Sequence, residues 1–102
     1  MTASPGWRGK TLVAAQGGKI GRIVDVLVDG RTGDPEWLAV QTGGRLRSKQ
    51  RFVPVSRAMS NGADVVVPFP EEQIRNAPAA KPVNGTLTYE DRAILTYHYR
   101  LG

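Results

Sequence analysis

The sequence contains no cysteine, a single histidine (His98), and no apolar run longer than four or five residues. Without cysteine there is no disulfide, no thiolate nucleophile and no zinc site built on sulfur. One histidine cannot form a His cluster around a metal. The apolar runs fall far short of the ~20 residues needed to span a bilayer. Met1 to Gly6 carry no basic start followed by an apolar stretch, so no signal peptide is expected. Asn84-Gly85-Thr86 matches a glycosylation sequon but reads as a turn, and neither end carries a lipidation signal. The expected location is cytoplasmic. Acidic residues are also missing from one region: residues 37–63 hold five basic side chains and no acidic one.

What is present suits one folded domain. The chain has 102 residues, 40% of them hydrophobic and 23% charged, with a net charge of +5. That composition argues against wholesale disorder. The charge excess belongs to residues 37–63 and is not spread over the chain, which weakens any argument for general nucleic-acid affinity from pI alone.

Hydrophobic periodicity is mostly two. Thr11-Leu12-Val13-Ala14 is a short strand closed by the turn Gln16-Gly17-Gly18-Lys19. From Ile20 to Val28, Ile20, Val24, Val26 and Val28 share one parity; Ile23 and Leu27 share the other with Asp25 and Asp29. A strand apolar on parts of both faces suits a small closed barrel, whose strands bend and change the surface they cover. Asp29 to Pro35 is rich in turn formers, Trp37 to Thr42 is a third strand, and Phe52 to Val55 a fourth. Pro54 cannot donate to a ladder, which puts that strand at an edge or a bulge. Asn61-Gly62 sets a tight turn into a fifth strand, Asp64 to Val67.

After Phe69 the pattern changes. Residues 70–87 are rich in proline and alanine and read as a wrapping connector, in which Glu71 to Arg75 is long enough for one helical turn. Thr88 resembles an N-cap, with Asp91 three residues later. Tyr89 to Tyr99 contains no Gly or Pro, and Ile94, Tyr97 and Leu101 recur at helical spacing. The predicted C-terminal helix would cover an open end or edge of the barrel, because so short a helix is marginal alone in water.

Candidate chemistry is sparse. Gly17-Gly18-Lys19-Ile20-Gly21 fails the P-loop pattern, since Ile follows the Lys, and reads as a hairpin turn. Asp25 and Asp29 would lie ~13 Å apart along a strand, too far to share a proton or a metal. Adjacent Glu71 and Glu72 point apart in a helical turn. His98 has no nucleophile at a suggestive local spacing and reads as a partly exposed helix-terminal residue. No catalytic, cofactor-binding or metal-ligating residues are expected, and no enzymatic activity. The one feature beyond composition is Arg45-Leu46-Arg47-Ser48-Lys49-Gln50-Arg51. Its four cations alternate, so an extended segment would present them on one side to phosphates or an acidic protein surface. The competing reading is a solvated basic loop that discourages edge-to-edge strand pairing. No aromatics interleave with the cations, so base stacking there is unsupported.

Gly9-Lys10-Thr11-Leu12-Val13, Gly18 to Asp29, Thr32-Gly33, Trp37-Leu38-Ala39-Val40, Gly43-Gly44 and Phe52-Val53-Pro54-Val55 together resemble a PRC-barrel domain. The resemblance covers about residues 8–69, and the Tyr-rich terminal helix is similar to tails on short free-standing bacterial members. It implies a mainly β fold: a small, mostly antiparallel barrel of about five or six strands with a short C-terminal α-helix. The expected organisation is an N-terminal tail (1–7), the barrel (8–69), the connector (70–87) and a helix packing on the barrel (88–102). The family includes the barrel of the photosynthetic reaction-centre H subunit and the C-terminal domain of a ribosome maturation factor. It has no shared catalytic residues, and so implies an interaction module.

Two functions follow as expectations. The first is a non-enzymatic module that binds a protein partner or another copy of itself, with Arg45, Arg47, Lys49, Arg51 and Trp37 as contact residues. Core packing is the competing reading of Trp37. The second is RNA or ribosome association through the basic loop 45–51. Neither needs a cofactor or a small-molecule substrate. Docking to an anionic membrane surface ranks lower, for want of an amphipathic basic helix.

Overall fold

Six strands and two helices follow one another along the chain: β1 (Thr11–Val13), β2 (Lys19–Val28), β3 (Pro35–Thr42), β4 (Lys49–Pro54), β5 (Met59–Asn61), β6 (Asp64–Val66), α1 (Glu71–Arg75) and α2 (Tyr89–His98). The computed structural model describes residues 6–43 and 49–101. The fold is mainly β. The strands form one mixed sheet in the order β4-β3-β2-β1-β6-β5, antiparallel except where β1 pairs with β6. Among the described residues β4 and β5 do not pair with each other, so hydrogen bonding leaves the sheet open at these two edges. Pro54 lies on edge strand β4 opposite Trp37, where its missing N–H costs no interior ladder bond.

The two-sided apolar pattern of β2 has a structural cause. Its pairing with β3 shifts register between Ile23 and Asp25 and again between Leu27 and Val28. These irregularities bend the strand and re-aim its side chains. Ile20 on one parity and Ile23 and Leu27 on the other are buried, while Val24 and Val26 are only partly so, which shows the core-facing parity changing along the strand. Gly21 is required by close approach: a Cβ there would collide with the backbone carbonyl of Gln41 on β3.

Three local expectations shift. β5 was not expected, because Met-Ser-Asn is exposed throughout and lacks apolar alternation; its order comes from pairing with β6. The hairpin loop between them is Gly62-Ala63, one residue later than Asn61-Gly62. Asn61 pairs with Asp64, and Gly62 takes the positive φ of 64° that this turn needs. β4 begins at Lys49, so Lys49 and Arg51 belong to a strand and not to an exposed loop.

Ile74, Ala77 and Leu87, all buried, tie the 70–87 segment to the core. α2 is capped by Thr88, whose Oγ1 accepts the backbone N–H of Asp91 at 3.2 Å. The reciprocal half of a capping box is not made: the Asp91 carboxylate accepts the backbone N–H of Lys81 instead. The face that α2 buries differs from the Ile94, Tyr97, Leu101 spacing. Leu95 (0% exposed) and Tyr99 (3%) enter the core, while Ile94 and Tyr97 point outward.

Candidate functional site: the outward face of the C-terminal helix

The sequence-predicted contact residues do not form one patch. Trp37, expected at a partner surface, is 2% exposed and packs 6.2 Å from the Tyr99 ring. It belongs to the core and offers nothing to a partner, the physical reason being that it is buried beside the Tyr99 ring. Arg45 and Arg47 lie outside the described residues. Lys49 and Arg51 alternate on β4 opposite Thr42 and Val40, so both project to one side of the strand. Neither makes an ion pair among the described residues.

The acidic residues have structural partners. Asp25 accepts from Arg8 at 2.6 Å and from the backbone N–H of Val26. Asp29 accepts the backbone N–H groups of Arg31 and Thr32, closing the β2–β3 turn. The Arg31 N–H is the main cause holding the Asp29 carboxyl below its ordinary range. Partial desolvation opposes it, and the Thr32 N–H and the Arg92 guanidinium reinforce it. Glu71 pairs with Arg75 one turn away at 2.7 Å. Among the described residues no group of three or more His, Cys, Asp and Glu is placed to hold a metal.

The site that sequence reasoning missed is on α2, and its strength is the rigidity of its mounting. Arg92 donates two hydrogen bonds to Glu36 Oε1, at 2.9 and 3.1 Å, and lies 3.5 Å from Asp29, fixing α2 to the start of β3 and to the β2–β3 connection. Tyr99 donates its hydroxyl to the carbonyl of Phe52 on β4 at 2.7 Å, and its ring packs edge-on to Phe69. His98 Nε2 lies 2.7 Å from the Gln73 carbonyl, while Gln73 Nε2 donates to the His98 carbonyl, joining the middle of α1 to the C-terminal end of α2 reciprocally. His98 thus holds helices together.

On the opposite side, Tyr97 is 87% exposed, Tyr89 83% and Ile94 51%. Two grooves flank the Tyr97 ridge. One, of about 600 Å³, is lined by Pro78, Ile94, Arg100 and Leu101; the other, of about 350 Å³, by Tyr89, Ala93 and Thr96. Single exposed apolar side chains are ordinary, but a contiguous set on a fixed helix is a candidate recognition surface. Tyrosine suits such a surface, with an apolar ring and a polar tip. The signal was present in the sequence. Leu95 with Tyr99 and Ile94 with Tyr97 are two apolar stripes on one short helix, and only one of them can face the core.

The chain thus combines a small mixed sheet with a C-terminal helix whose outward face is apolar. The PRC-barrel domain family model matches residues 5–74, and the chain belongs to that family. PRC-barrel domains are generally non-catalytic interaction modules. The match includes all six strands and ends in α1, so α2 lies beyond it. No curated protein matches the chain. Among the described residues no helix is long and apolar enough to cross a membrane.

Proposed function

We propose that the protein is a non-enzymatic PRC-barrel module that binds a protein through the outward face of α2. The observation that carries this reading is the exposure of Ile94 and Tyr97 on a helix held immobile by Leu95, Arg92, His98 and Tyr99. Such a face presents apolar area without the entropic cost of ordering it on binding. Affinity capture with the full chain, run beside the Ile94→Ser/Tyr97→Ser variant, tests the reading. A partner or a self-complex recovered with the parent should be lost with the variant. Equal recovery with both refutes it.

A second reading is RNA or ribosome association through the basic segment 45–51. It is favoured by Lys49 and Arg51 lying on one side of β4 without carboxylate partners among the described residues. It requires salt-dependent RNA binding that weakens when Arg45, Arg47, Lys49 and Arg51 are all replaced by Gln. Absence of binding at low salt, or unchanged affinity in that variant, removes it.

A further inference from the structure

Resting on the protein-binding reading of α2, we propose that the occupant of its outward face is α2 of a second copy, packed antiparallel across a twofold axis. Glu90, Ala93, Ile94 and Tyr97 fall at i, i+3, i+4 and i+7, and all four are exposed. They form a single stripe along the helix. Its composition runs in one direction: a carboxylate in the first turn, a small and two large apolar residues in the middle, and the Arg100 guanidinium just past the C-terminal end. Neither Glu90 nor Arg100 forms an ion pair among the described residues.

That order complements itself only when reversed. Parallel copies would set Glu90 against Glu90 and Arg100 against Arg100. Antiparallel copies set each Glu90 against the other copy's Arg100 and oppose the two helix dipoles favourably. In that register Ala93 of each copy lies opposite Tyr97 of the other, so the small residue leaves room for the ring. The groove bounded by Pro78, Ile94 and Leu101 receives what the ring does not fill. Every contact is made twice, as twofold symmetry demands. An apolar helix from an unrelated protein could fill the groove, but it has no reason to meet both free charges in this order.

A ten-residue helix is only ~15 Å long, so the contact is small and the dimer is weak and concentration-dependent. Sedimentation equilibrium of the full chain at low salt, from about 1 μM to about 1 mM, tests this. The expected result is a monomer–dimer equilibrium. Glu90→Arg and Arg100→Glu should each weaken it about tenfold, since symmetry turns two attractions into two repulsions. The two together should restore it, and Tyr97→Ser should abolish it. Circular dichroism melts verify that each variant is folded. A parent that stays monomeric, or dimerisation indifferent to Tyr97→Ser, or a double reversal that fails to restore it, overturns the proposal. If the parent is monomeric but Tyr97→Ser abolishes capture of a different protein, self-pairing falls while the protein-binding reading stands. If neither depends on Tyr97, both fall.

Discussion

Tyr99 joins three parts of the molecule with one side chain: its ring touches Trp37 and Phe69, and its hydroxyl ends on the Phe52 carbonyl of an edge strand. Burial raises its phenol above the ordinary value near 10, with Arg51 opposing weakly. In the unfolded chain the phenol ionises near pH 10 while the folded one stays neutral, so the unfolded state holds fewer protons there. Stability should be intact below about pH 10 and fall above it. Tyr99→Phe should remove that part of the alkaline loss and cost about 0.5–1.5 kcal/mol at neutral pH for the lost hydrogen bond, both readable in urea melts. Asp29 is the acidic counterpart. Its lowered pKa stabilises the fold above about pH 4, a contribution lost as pH falls through the folded value. Asp29→Asn should flatten the acid limb of a stability-against-pH curve. Gly21→Ala should cost about 1–3 kcal/mol or more, because the added methyl meets backbone and not a movable side chain.

At the scale of elements, what could be read in the sequence tracks how local the determining chemistry is. Turn formers at Gly17-Gly18 and Asp29 to Pro35, the apolar runs of β2 and β3, the edge position of Pro54 and the Thr88 cap all act within a few residues, and the structure has them. β5 was illegible because its order is supplied by β6, not by its own side chains. The phase of α2 was illegible for a different reason. Ile94 with Tyr97 and Leu95 with Tyr99 are both acceptable core stripes, and only contacts from β4, α1 and the β2–β3 connection choose between them. The same contacts bury Trp37 and leave Ile94 and Tyr97 outside, which local spacing alone does not determine. Leu95→Ala should cost about 2–5 kcal/mol and loosen α2. Ile94→Ala, on the same helix and one residue away, should change stability by about 0.5 kcal/mol or less. Thermal melts of the two variants separate the buried stripe from the offered one.

At the scale of the whole molecule, the unit that folds is larger than the unit the family model matches. Residues 5–74 carry the sheet and most of α1, yet Leu95 and Tyr99 complete its core from the far end of the chain. A chain ending at residue 87 should therefore lose its cooperative transition, and its Trp37 emission should shift to the red as water reaches the indole. The ties of α2 to the sheet and to α1, namely Arg92 to Glu36, His98 with Gln73 and Tyr99 to Phe52, cross between segments distant in sequence, and Asp91 to Lys81 adds one to the 76–87 linker. Covalent continuity there should thus be dispensable to the assembled state. Residues 1–80 and a separate 81–102 peptide should find each other and rebuild the native core, which makes the linker a place where the protein can be split into complementing halves and rejoined without a bond.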